Sequence, residues 1–268
     1  MNPMILGISA LALYLTGTVL ILLRLRQRAP IDRPWVLVSM GLAVVLHAMV
    51  LGMEGWQGGL VNLGFYNALS IVGLAVAVLV FAGALVRPVE NLGIVLLPAA
   101  ALTMALQLKF GAGNTLWRNF DWQLNIHIAL TLFAFAILSL AAAQAVILWS
   151  QDRALRLHPA GSTLLPLPSL QRMETVLFQL IGLGFGLLTL GLLAGAFYIS
   201  DLAEQRLIHK TVLSVVAWAV FGMLLWGRWR FGWRGRTAIR MTLAGVAVLL
   251  LAYFGSKLVL ELILQRVE

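Results

Sequence analysis

Followed along its length, the chain alternates between long apolar runs and short polar ones. Eight runs stand out: residues 4–23, 35–52, 63–85, 92–108, 124–150, 175–199, 209–227 and 238–262. A helix needs ~20 mostly apolar residues to cross a bilayer. Backbone amides in lipid must find their partners internally, so the runs are expected to be helices and not open strands. The predicted fold is an all-α membrane protein, a bundle of eight transmembrane helices. No basic stretch precedes the first run and no obvious small-residue cleavage site follows it, so it reads as a retained helix and not a signal peptide.

The longest connection, 151–174, holds HPAGSTLLPLPSLQRME, whose prolines and small residues suggest a loop returning along the membrane surface. A tight basic loop sets the first two spans apart from the rest. Residues 1–60 therefore read as a pair of helices added to a six-helix domain, 61–268. Gly-rich GMEGWQGG (52–59) has no strand before it and reads as an external turn. In the sixth run Gly182, Gly186, Gly191 and Gly195 form two pairs at four-residue spacing, which lets neighbouring helices approach closely within the bundle or across a dimer interface.

Composition agrees with a lipid-solvated chain. Hydrophobic residues make up 61% and charged residues 11%, against roughly 25% charged in soluble domains. The absence of cysteine removes disulfides, thiol chemistry and covalent haem attachment. The net charge of +9 does not point to nucleic acid, because arginines beside membrane spans normally record topology. Arg24, Arg26, Arg28 and Arg33 follow span 1, and Arg87 follows span 3. Arg153, Arg156 and Arg172 lie between spans 5 and 6, and Arg228, Arg230, Arg234, Arg236 and Arg240 between spans 7 and 8. All lie in odd-numbered loops. Those loops are expected to be cytoplasmic and both termini external.

Histidines at span edges are functional candidates by default, because burying them costs solvation energy. On the expected topology His127, in the first turn of span 5, and His209, opening span 7, lie at the external face. His47 lies in the external half of span 2. His158 falls in the cytoplasmic loop beside Pro159 and reads as solvated. Two neutral imidazoles facing each other can ligate a haem iron or hold a transition metal. The competing reading is that each histidine hydrogen-bonds to a neighbouring helix or anchors at the interface. Other external polar groups are Asp121, Asp201, Glu204 and Lys210. Lys257, Glu261 and Gln265 share one face of the last span, expected to turn inward. Aromatics gather there too, among them Trp56, Tyr66, Trp117, Trp122 and Tyr198, as an interfacial belt or a shelf for a flat ring. No phosphate loop, zinc-protease motif or nucleophile elbow appears, and no group is arranged for acid–base catalysis, so the chain is not expected to be an enzyme.

Three stretches carry a resemblance. WQLNIHIALTLFAFAILSLAAAQAVIL (122–148) resembles the helix that opens with the first external histidine in the CcsA-type cytochrome c assembly, or haem-handling, membrane proteins. LTLGLLAGAFY (188–198) is similar to the helix before that family's tryptophan-rich external segment. Residues 209–255 resemble the pair that follows, with an internal tryptophan, a basic turn containing GWRG, and a last helix bearing YFG. The likeness covers roughly 90–265 and is greatest to a YpjD-like branch of the bacterial inner membrane.

The resemblance implies a multi-pass inner-membrane protein that binds non-covalent haem b near the external face, with His127 as an axial ligand and with cytochrome c assembly or other membrane proteins as partners alongside the lipid bilayer. Two features depart from the family. The stretch YISDLAEQRLIHKT (198–211) has no tryptophan and no Trp-Asp-Pro-Lys-Glu signature. The region after YFG, SKLVLELILQRVE, has no histidine. The topology offers His209 as a substitute second ligand and His47 as a further candidate. The alternative is a scaffold that has lost haem and serves as a membrane partner, for instance as an accessory to a transporter.

Overall fold

The computed structural model describes residues 2–26, 31–54, 56–57, 60–62, 64–86, 89–111, 116–117, 122–157, 169–198 and 205–255. Eight helices are long and apolar enough to cross a membrane. They are α1 (Pro3–Leu25), α2 (Arg33–Glu54), α3 (Phe65–Val86), α4 (Gly93–Phe110), α5 (Trp122–Leu157), α6 (Leu170–Tyr198), α7 (Gln205–Phe231) and α8 (Arg236–Leu250). The last continues as a π-helical turn, Leu251–Gly255. Each of the eight apolar runs thus holds one spanning helix among its described residues, as expected.

The helices outrun the apolar stretches at several ends because helix formation does not stop where hydropathy falls. In α5 the polar segment after residue 150 stays helical, and Arg156 pairs with Asp152 one turn back at 3.0 Å. At ~1.5 Å per residue its 36 residues exceed the ~30 Å hydrocarbon core, so one end must project. The start of α1 is fixed by Asn2, whose side chain accepts from the Met4 amide at 3.0 Å, followed by Pro3 at the first helical position.

Three strands of two or three residues lie between the helices: β1 (Trp56–Gln57), β2 (Leu60–Asn62) and β3 (Leu116–Trp117). They form one antiparallel sheet in the order β1-β2-β3, with Trp56 opposite Val61 and Val61 opposite Trp117. Of the stretch 52–59 read as a turn, 52–54 end α2 and Trp56–Gln57 form β1. Strands this short carry too little alternation to register as a pattern.

By packing, the chain divides into two units, residues 1–119 and 120–266. In the first, α1 packs on α2 and α4, and α3 packs on α2 and α4, which closes a ring of four helices. In the second, α5 packs on α6 and α8, and α7 packs on α6 and α8, closing another. The division falls at residue 119: α1 and α2 pack on each other, and α1 packs also on α4 and α2 on α3. Tyr14, Ile21, Met40, Leu97 and Met104 fill the first core, and Leu138, Leu177, Ile181, Phe221 and Leu224 the second.

The arginines read as topology markers also make contacts. Glu90, buried before α4, accepts from Arg24 at 2.9 Å and lies 3.5 Å from Arg33 Nε. Arg33 also donates to the Ala84 carbonyl. One carboxylate therefore ties together the end of α1 and the starts of α2 and α4. In the second unit the link from α7 to α8 turns on Gly232 (φ 67°) and Gly235 (φ 58°), a backbone region that glycine enters without steric cost. The Gly235 amide donates to Glu174 on α6 at 2.7 Å.

Candidate functional site

His127 is the sixth residue of α5 and lies against the glycine-bearing face of α6. Its Nδ1 is 2.8 Å from the Gly191 carbonyl oxygen. A carbonyl only accepts, so Nδ1 must carry a proton and donate it, and in the neutral ring Nε2 then keeps the lone pair. No described residue hydrogen-bonds to Nε2, and the side chain is partly exposed. The arrangement is the one used to orient metal-ligating histidines: one nitrogen tied to a backbone carbonyl, which fixes the tautomer and ring plane, and the other free.

Glycine at two positions of α6 makes this approach possible. A Cβ at Gly195 would stand 2.8 Å from His127 Cε1 and 3.0 Å from Nδ1, and one at Gly191 would stand 2.8 Å from Thr131 Cγ2. Of the two glycine pairs noted in the sequence, Gly191 and Gly195 serve the contact with α5. Gly182 and Gly186 have no atom near enough to meet an added Cβ.

Thr131, one turn after His127, gives its hydroxyl proton back to the backbone, with the His127 carbonyl at 2.8 Å and the Ile128 carbonyl at 3.1 Å. Its oxygen accepts from Tyr253 Oη at 3.2 Å. Tyr253 belongs to the π turn that ends α8, and its ring packs against Phe135 at 5.3 Å. Wide turns of this kind re-aim side chains inside helices and are frequent at functional sites. Deeper in the unit, Trp218 on α7 donates to Thr189 on α6 at 2.8 Å and stacks on Phe185. The sequence reading missed Thr131, Tyr253 and the Gly191 carbonyl as parts of the site. The available signals were the four-residue step from His127 to Thr131 and the YFG triplet.

The other candidates stand differently. His47 is wholly buried in the first unit. Its Nδ1 lies 3.1 Å from Tyr14 Oη and its Nε2 2.8 Å from Ser70 Oγ, so both nitrogens are engaged. His209 is the fifth residue of α7, and its side chain lies outside the described residues. So do the side chain of Tyr198 and all of Asp121, His158, Asp201, Glu204, Lys257, Glu261 and Gln265. Trp122 is 69% exposed. Among the described residues no group of three or more His, Asp or Glu gathers as a metal cage.

A membrane protein of eight spanning helices, with a histidine of fixed tautomer near the start of one, is the class that fold and site define. The family model described as Cytochrome C assembly protein matches residues 37–264, and the chain belongs to that family. It is 33% identical to Inner membrane protein YpjD of Escherichia coli strain K12 over 262 residues, covering 95% of this chain and 97% of that protein. It is 32% identical to a 28.8 kDa protein encoded in the nifR3-like 5′ region of Azospirillum brasilense, over 81% of this chain and 85% of the relative. The likeness to Cytochrome c biogenesis protein CcsA of Trichodesmium erythraeum is more local, 32% identity over 90 residues, 33% of this chain and 26% of that one. No solved structure matches. The chain is a multi-pass protein of the bacterial inner membrane.

Proposed function

We propose that this protein handles haem, holding it non-covalently as haem b through His127 and passing it on in support of cytochrome c assembly. The observation that carries the reading is the Nδ1 contact to the Gly191 carbonyl, which leaves Nε2 as an unprotonated donor of the kind that ligates haem iron. Bound haem would supply iron as an acceptor for that nitrogen. The chain itself supplies the fixed ring, the glycine cradle and the Thr131–Tyr253 support. His209 is the proposed second ligand, resting on the arginine-derived topology that places the starts of α5 and α7, and both termini, on the external side. With no cysteine in the chain, attachment stays reversible, which suits transfer more than catalysis or storage.

A second reading has its own observation. The stretch 198–211 has no tryptophan, and no histidine follows YFG. A descendant that lost haem would keep the helices and act as a membrane partner of another complex. The deciding experiment is an absorption spectrum of protein purified with and without added haem. A Soret band that titrates to one haem per chain supports the first reading. No band under saturating haem leaves the second.

A further inference from the structure

Gln107, in the last turn of α4, is 1% exposed. Its amide nitrogen donates to Glu54 Oε2, at the end of α2, at 3.1 Å. Because a carboxylate only accepts, this contact fixes which way the amide points. The remaining oxygen, Oε1, is buried and has no partner. Asn67, in the first turn of α3, is 2% exposed. Its amide nitrogen is turned to the Gly111 carbonyl at 3.5 Å, again an acceptor, so its Oδ1 is the second buried oxygen without a partner. The two amides meet at Gly111. The point where a Cβ would stand there is 3.1 Å from Asn67 Oδ1 and 3.1 Å from Gln107 Cγ.

Buried polar groups are paired in the great majority of cases, and each exception calls for a water, an ion or a functional reason. Two such oxygens meet here. Both unfilled positions are oxygen acceptors, the Glu54 carboxylate adjoins the Gln107 amide, and the described donors include no soft one. That is the donor set of a hard cation. The described donors carry a single negative charge, which a monovalent cation neutralises and a divalent cation would over-compensate in a low-dielectric setting.

We propose that Glu54, Asn67 and Gln107 form an oxygen-lined binding site for an alkali-metal cation, sodium or potassium, that clamps the ends of α2, α3 and α4. The site belongs to the first unit and is independent of the haem reading, which rests on residues of the second.

The test uses full-length protein in nanodiscs at constant ionic strength, with choline chloride exchanged for sodium, potassium, magnesium or calcium chloride. A ligand that binds only the folded state raises the unfolding temperature with its concentration. Sodium or potassium should therefore raise Tm saturably above choline, and more than calcium or magnesium does. Glu54→Gln keeps an acceptor for Gln107 but removes the charge. It should weaken the apparent affinity by about tenfold or more, the consequence of losing ~1.4 kcal/mol. Gln107→Leu should abolish the increment. Should either variant fail to fold, binding of radioactive sodium or potassium to the unaltered protein, displaced by the unlabelled ion, reads the site directly. No saturable ion binding and equal Tm in all the salts would overturn the proposal and leave the two oxygens to water. So would a larger shift with calcium than with either alkali ion.

Discussion

Two four-helix rings of similar size handle a histidine in opposite ways. In the first unit His47 sits with no exposed surface between Tyr14 and Ser70, one hydroxyl on each ring nitrogen, so that α1, α2 and α3 are tied through a single imidazole. In the second, His127 is tied on one side only, to a backbone carbonyl, and stays partly exposed. The surroundings differ in the same sense. The buried polar side chains of the first unit include His47, Asn67, Ser70, Glu90 and Gln107, whereas those of the second are Gln144 and Thr242 among the described residues. A histidine with both nitrogens satisfied is a structural tie, and freeing it for a ligand means breaking a buried hydrogen bond. A histidine with one nitrogen satisfied is oriented and still has a lone pair to offer. The difference that matters for function is therefore the number of partners, which depth and sidedness in the sequence do not reveal.

The largest expected effect tests the free side of that contrast. His127→Ala removes Nε2 and should abolish the Soret band of haem-loaded protein, while the chain still inserts and folds, since the ring lies near a helix start and outside the packed core. His47→Ala, measured in parallel, should leave the band intact. If His47→Ala removes the band and His127→Ala spares it, the two histidines have been assigned the wrong roles.

The second effect falls on stability. His47→Ala strands the hydroxyls of Tyr14 and Ser70 in an apolar core. A buried group left without its partner costs about 1–3 kcal/mol. Reversible unfolding in detergent micelles should thus show a loss of roughly 2 kcal/mol or more, on the same estimate. The matching His127→Ala loss should be smaller, because a partly exposed ring and one carbonyl are affected. Equal losses would erase the distinction between tie and ligand.

Much of this architecture is legible in the sequence. Eight apolar runs of spanning length leave helices as the only economical way to satisfy the backbone in lipid, and the described residues contain eight such helices. The grouping is less legible. α1 and α2 read as a pair set apart from the rest, yet besides packing on each other α1 packs on α4 and α2 on α3, and periodicity within a helix does not name the helix it faces. The site is legible in part. His127 stands out as a polar residue at the edge of an apolar run. The Gly191 carbonyl cannot stand out, since every residue has one, and its availability depends on α6 coming close enough for its glycines to matter. Glu90 shows the same limit: among arginines read as topology markers, a lone carboxylate gives no sign in the sequence that it gathers two of them.

The third effect probes the glycine cradle. Gly195→Ala places a methyl group 2.8 Å from the His127 ring, closer than carbon atoms approach, so the ring must swing away and lose its bond to Gly191. Haem affinity should fall several-fold without disappearing, because Nε2 is still present. Gly182→Ala, on the open face of the same helix, should change nothing measurable. The pair forms an internal control. If both variants weaken haem equally, α6 acts through its general packing and not through the cradle.

The smallest effect concerns Tyr253. Its hydroxyl reaches Thr131, which is bonded in turn to the His127 carbonyl. These bonds support the backbone of His127's own turn and not its imidazole. Tyr253→Phe keeps the ring against Phe135 and removes only the hydroxyl. Hydrogen bonds between membrane helices average about 0.6 kcal/mol in double-mutant cycles, so stability should fall by about that much. Haem occupancy should stay near its original value. The sharper readout is coupling. If Tyr253 acts through Thr131, the Thr131→Val variant should show the same small loss, and the double variant should lose little more than either alone. Additive losses would mean that the hydroxyl serves something other than Thr131, and the π turn would have to be explained by its packing on Phe135.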